Sequence, residues 1–246
     1  MSYWPSPVRW DTPSGYILQK LFDVLPSEYS NIPIRIFGSS ALQLTVTEDL
    51  NSADTDICIE TSFNPGTPPL QTKNLFELVR NNKLDSCDPY IQVCQPQVFE
   101  PGPNWGFRVL KGELYGKPYI IPHPIDILVS KVNRADIKDV SAFHKVIAAV
   151  GHPTEQEMIV ELQTCLPLYL RDPKSYSHCD TRPKKFGNYK VNTEKIWEAV
   201  WGRKINVQKE IIEPAIQVRY EGYSVQMPQI KSDVLARFKQ ASRFRH

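Results

Sequence analysis

The chain has 246 residues, 41% of them apolar, and 29 basic against 27 acidic side chains give a formal charge of +2. That is enough apolar material for one large or two small domains with a packed core, so a soluble globular protein is expected. The apolar runs are interrupted, as by Pro122, His123, Pro124 and Asp126 within 120–129, and none approaches the roughly 20 residues of a membrane span, which argues against a membrane protein.

Five cysteines without a C-x-x-C pair suit a reducing cytosol better than a disulfide framework. The N-terminal MSYWPSPVRWDTPSG carries tryptophan and proline where a signal peptide needs a continuous apolar stretch, so a cytoplasmic location is expected. The charge is uneven. Residues 1–136 hold 11 basic and 15 acidic side chains, a net of −4, and 137–246 hold 18 and 12, a net of +6. A basic half favours polyanionic partners, although an imbalance of this size also describes an ordinary solvated surface.

In chain order, residues 14–25 place Ile17, Leu18, Leu21, Phe22 and Leu25 at helical spacing behind a candidate Ser14 cap, predicting an amphipathic helix. Pro33 opens a strand filled by Ile34, Ile36 and Phe37 and ended by Gly38. A short helix is predicted over 39–46, a polar loop over 49–53, a second strand over 55–60 and an amphipathic helix over 70–82. Residues 90–98 read as a strand, and 106–121 as a hairpin turning near Gly112 or Gly116. From Pro124 the periodicity becomes helical, over 125–133, 138–150, 154–170, 193–202 and 232–242. Residues 171–190, with six basic side chains and little apolar pattern, read as an exposed loop. The fold class expected is α+β: a mixed sheet flanked by helices over 1–136, then a mainly helical region over 137–246.

Within IRIFGSSALQLTVTEDLNSADTDICI, Asp54 and Asp56 stand one residue apart in the predicted second strand, so both carboxylates share one face. Side by side they repel unless a cation sits between them. Carboxylate oxygens are preferred ligands of Mg²⁺, which shares its other positions with water and phosphate. The plain alternative is a pair that merely opens a strand at a solvated edge. Upstream, Gly38 allows close backbone approach, Ser39 and Ser40 offer hydroxyls, and a helix starting there aims N–H groups at an anion.

The sequence FGSSAL followed by DTDICI resembles the nucleotidyltransferase-fold superfamily shared with DNA polymerase β, carried by Gly38, Ser39, Ser40, Asp54 and Asp56. The interval between Ser39 and Asp54 is longer than in compact members. A second segment, PHPIDILVSKVNRADIKDVSAFHKVI, resembles abortive-infection toxin-type nucleotidyltransferases and related uncharacterised bacterial families at Lys131, Arg134, Lys138 and Asp139. The cations there would neutralise a triphosphate, with Asp139 anchoring Lys131 or Arg134 or capping the next helix; an ordinary charged helix junction is the alternative.

The resemblance implies a mixed sheet, Mg²⁺ or Mn²⁺ on Asp54 and Asp56, and an NTP whose phosphates lie at residues 38–40. It also implies a third acid from a later strand. Asp126 has the right apolar flanks but is equally an N-terminal helix acid, and Glu100 and Glu113 are the other candidates. The implied activity is transfer of a nucleoside monophosphate to an acceptor hydroxyl. RNA, with tRNA as the instance, is the favoured acceptor, and a cognate antitoxin is an implied protein partner. The rival is a non-catalytic binding or regulatory module on the same fold. Elsewhere, Cys58 and Cys94 read as packed thiols, Trp197 and Trp201 share a helix face, and Cys165 with His178 and Cys179 fits no zinc spacing.

Overall fold

The computed structural model describes residues 8–60, 69–169 and 182–215. The helix expected over 232–242, along with His178 and Cys179, lies outside the described residues. The protein is α+β: a five-stranded mixed sheet with flanking helices, then a mainly helical C-terminal region. The chain forms two compact units, Met1–Leu128 with Ala142–His152 and Val129–Ser141 with Pro153–His246. Among the described residues no helix is long and apolar enough to cross a membrane.

In the first unit, α1 (Pro13–Val24) buries Ile17, Leu18, Leu21 and Phe22 on one stripe. Its cap is Thr12, two residues earlier than the predicted Ser14: the Thr12 hydroxyl accepts from the Gly15 N–H at 3.2 Å, and Pro13 supplies a fixed φ at the first helical position. β1 (Ile34–Phe37) is buried throughout because it is the centre of the sheet, whose order is β3-β2-β1-β5-β4.

α2 (Gly38–Thr45) follows β1 without a loop, and β2 (Asp54–Ile59) returns antiparallel to β1, with Phe37 opposite Asp56. α3 (Pro69–Asn81) crosses over to β3 (Tyr90–Val93), parallel to β2. β4 (Leu110–Leu114) and β5 (Lys117–Ile121) form the hairpin. Its two turn residues, Tyr115 and Gly116, both have positive φ, 50° and 69°, the backbone of a two-residue turn matched to strand twist. The turn is therefore at Gly116, not Gly112. β5 runs parallel to β1 and leads into α4 (Pro124–Val132). Beneath the sheet, Tyr119 packs edge-on to Trp10 at 5.2 Å and to Phe22 at 6.2 Å. Buried Arg35 on β1 pairs with Glu60 and lies 4.5 Å over the Trp105 ring.

The second unit holds the junction of α4 and α5 (Ile137–Val150), then α6 (Glu155–Tyr169), α7 (Arg182–Trp201) and a π-helical turn at Gln208–Ile212. α6 opens with a reciprocal capping box: the Glu157 carboxylate accepts from the Thr154 N–H at 2.7 Å, and the Thr154 hydroxyl from the Glu157 N–H at 3.3 Å. α7 starts at Arg182, so 182–190, expected as loop, is helical; lysine and arginine are good helix formers, and a missing apolar stripe does not by itself exclude a helix. Trp197 is fully buried, stacks with Trp201 at 4.5 Å, and donates to Glu155 at 2.6 Å, which also binds Arg203. Core packing therefore accounts for Trp197.

Candidate functional site

Strand directions gather the predicted residues of the first unit at one edge of the sheet. β1 ends there at Phe37, just before Gly38, antiparallel β2 begins there with Asp54 and Asp56, and parallel β5 ends there before Asp126. Asp54 and Asp56 are half-buried while Thr55 between them is buried, the alternation that sets both carboxylates on one face.

Gly38 has φ +72°, and a Cβ built on it would fall on Oδ2 of Asp56, 3.3 Å from Cγ. Only glycine lets α2 begin this close to that carboxylate. The N-cap position, Phe37, offers no side-chain bond to the first turn of α2, and a carboxylate beside that turn is favoured by the helix dipole. The Ser40 side chain is buried, and its hydroxyl donates to the Phe37 carbonyl at 2.8 Å; it stabilises the turn and is not presented to a ligand. Ser39 is half-buried.

Two neutral donors reach the acid pair. The Ser52 hydroxyl donates to Oδ1 of Asp54 at 2.9 Å, and the Cys94 thiol to Oδ1 of Asp56 at 3.5 Å. Burial, then the Asp56 charge, push the Cys94 thiol far above its ordinary range, so it stays protonated. Burial likewise pushes Cys58 up to about 12, with Arg35 acting the other way. Both cysteines are packed, as expected, but the contact of Cys94 with Asp56 is not visible in sequence, because it depends on how β3 registers on β2.

Asp126 sits in the first turn of α4, fully buried, with Arg108 donating to both oxygens at 2.6 and 3.1 Å. A guanidinium, rather than a metal ion, engages its charge in this arrangement, and Arg108 lies 18 residues away with no local signal of the pairing. Burial, with Arg108 nearby, lowers the neighbouring His123 to about 4, and its Nδ1 accepts from the Ile125 N–H at 3.3 Å. On the strands flanking β2, the residues opposite the pair are Tyr90 and Gln92 on β3 and Phe37 on β1. Glu113 lies on β4, three strands from β2, or about 14 Å across the sheet; Glu100 is half-buried beyond β3.

The Lys131 segment, in the second unit, is an ion-pair network. Lys131 is buried and bonds Oδ1 of Asp139 at 3.0 Å, while Arg134 bonds both oxygens of Asp139 at 2.7 and 2.8 Å. Asp139 also accepts from the Asp136 N–H at 3.1 Å, capping α5. Burial raises the Asp139 pKa, but the bonds from Arg134 and Lys131 outweigh it and hold the carboxyl below its ordinary value. Asp139 thus both anchors the two cations and caps the helix. Lys138 is exposed.

Among the described residues, no group of three or more His, Cys, Asp or Glu side chains is placed to hold a metal ion. An aspartate pair alone suits a Mg²⁺ ion that completes its shell with water and substrate phosphate; it does not suit a two-metal site. No family model matches the chain, and no match is found among the curated proteins or the solved structures.

Proposed function

We propose that the protein is a metal-dependent nucleotidyltransferase that moves a nucleoside monophosphate from an NTP to an acceptor hydroxyl. The observation that carries this reading is the Asp54–Asp56 pair on one face of β2, set against the glycine turn that starts α2. Uncompensated, two carboxylates at that spacing repel; a divalent cation and a phosphate chain make the arrangement favourable.

Mg²⁺ or Mn²⁺ on this pair would supply Lewis-acid stabilisation of the charge that develops on the phosphate oxygens. Asp54 and Asp56 hold the cation. The backbone at residues 38 and 39 faces the triphosphate, and Gly38 keeps a side chain out of its path. The acceptor hydroxyl oxygen bonds to the α-phosphorus, its proton passing to solvent, as the bond to the β-phosphate's bridging oxygen breaks, releasing pyrophosphate. Phosphate binding is assigned to this turn and not to Lys131 and Arg134, whose charges Asp139 engages. RNA is the proposed acceptor class, on the net +6 of residues 137–246, with tRNA the first to try.

The test is incubation with α-labelled NTPs, Mg²⁺ and total RNA, for wild type and for Asp54→Asn/Asp56→Asn. Label on RNA that the double variant abolishes supports the enzyme, and binding to tRNA that weakens steeply with salt supports the electrostatic argument. Unchanged Mg²⁺-dependent NTP binding in the double variant would overturn the assignment. One observation favours a second reading, a nucleotide-binding module without turnover that acts as an antitoxin or regulatory partner: Tyr90, Gln92 and Phe37, not a third acid, flank the pair. NTP binding without label transfer would select it.

A further inference from the structure

β4 is an outer strand of the sheet, and among the described residues no strand pairs with its far side. Which of its backbone groups look outward follows from the hairpin. The residues flanking a two-residue turn form a hydrogen-bonded pair, here Leu114 and Lys117, and bonded and non-bonded pairs then alternate along the ladder. Leu110, Gly112 and Leu114 therefore bond to β5, while Lys111 and Glu113 direct their N–H and C=O groups away from it. Pro118, opposite Glu113, agrees with that phase, since it has no N–H to give β4. Lys111 and Glu113 are exposed, and with Gly112 they line a concavity of about 450 Å³, so open space borders the strand.

The strand reads Leu-Lys-Gly-Glu-Leu, a sequence whose charges invert about its centre. Run antiparallel to itself about a two-fold axis at Gly112, it sets Lys111 opposite the second copy's Glu113 and Glu113 opposite the second copy's Lys111, with leucine opposite leucine at the ends. The outward phase makes both Lys–Glu pairs hydrogen-bonded ones, each exchanging two N–H···O bonds. The Gly112 pair is then of the non-bonded kind, in which Cα atoms approach to about 4.5 Å, and glycine puts no side chain into that gap. Tyr119 also requires glycine there, since a Cβ on Gly112 would fall on the Tyr119 hydroxyl. Slipping the register by two residues sets lysine against lysine or glutamate against glutamate, which is destabilising, so charge selects one alignment. Lysine on an edge ordinarily blunts it against foreign strands; lysine and glutamate two residues apart exempt the chain's own copy. A lysine ammonium has three donors, so this pairing does not depend on Lys111 lacking another contact.

We propose that the β4 edge pairs with the β4 edge of a second copy of this chain, extending the sheet across a two-fold axis at Gly112. β4 lies three strands from β2, and the proposal stands apart from the function assigned to Asp54 and Asp56. A five-residue strand is about 17 Å long and alone buries less than the roughly 1,200 Å² of a stable interface, so the dimer forms as concentration rises.

The test is sedimentation velocity of the full chain from about 10 µM to about 1 mM, for wild type, Lys111→Glu, Glu113→Lys, the double exchange Lys111→Glu/Glu113→Lys, and an equimolar mixture of the two single variants. Wild type should pass from monomer to dimer. Each single variant sets like charges opposite in both pairs and should weaken association at least about tenfold. The double exchange and the mixture both restore opposite charges in this register, and should return association to within about threefold of wild type. All variants should keep the wild-type circular dichroism, because both substituted residues are exposed. Amide exchange at Lys111 and Glu113 should slow in the dimer. Wild type that stays monomeric to about 1 mM, a dimer indifferent to the single variants, a mixture that stays monomeric, or a dimer in which those two amides exchange as before would each overturn the proposal.

Discussion

Replacing Gly38 by alanine perturbs two things that can be separated. The residue has φ +72°, a left-handed conformation that costs an L-residue about 1–2 kcal/mol. The new methyl also falls on Oδ2 of Asp56, 3.3 Å from Cγ, so the carboxylate must leave its rotamer, at about 0.5–1.5 kcal/mol. Gly38→Ala should therefore destabilise by about 2–3 kcal/mol. An Asp56→Ala background removes the two side-chain atoms nearest the methyl and leaves Cβ at 3.4 Å, an ordinary contact, and the backbone cost of about 1–2 kcal/mol remains. Urea unfolding of the four proteins of this double-mutant cycle should give a coupling of about 1 kcal/mol. Zero coupling would refute the close approach of Asp56 to the α2 turn. A Gly38→Ala cost below about 0.5 kcal/mol would refute the left-handed backbone as well.

Arg108→Ala should destabilise by about 3 kcal/mol in urea unfolding, the lower end for a broken buried pair, since it removes the guanidinium that bonds both oxygens of fully buried Asp126 while Arg108 itself is 27% exposed; adding Asp126→Leu should recover much of the loss. For His123 the folded pKa, about 4, lies below its ordinary 6.5, so the unfolded chain binds the proton first and stability falls as pH drops from about 6.5 toward 4, by up to about 3 kcal/mol. His123→Gln should flatten that part of the stability–pH curve, and an unchanged curve would refute a buried neutral imidazole. Asp139 acts at lower pH: its folded pKa is depressed, so its contribution is complete above the unfolded value of about 3.9 and is lost as pH falls below it. Asp139→Asn should remove the loss measured below that value.

The Asp54–Asp56 face and the glycine turn were legible in sequence because both follow from local geometry: side chains alternate along a strand whatever it pairs with, and a left-handed turn selects glycine wherever it occurs. The strand, hairpin and helix order followed from the same periodicities. Residues 182–190 misled because charge without an apolar stripe is compatible with either loop or helix. What tertiary structure alone decided was partnership. Arg108 meets Asp126 across 18 residues, Cys94 reaches Asp56 across 38, and the parallel register of β3 puts Gln92 rather than an acid beside Asp56. A lone chain fixes which groups carry charge and which face of a strand they share; only the packed sheet fixes which group each charge meets, because that depends on distances between segments no local propensity encodes.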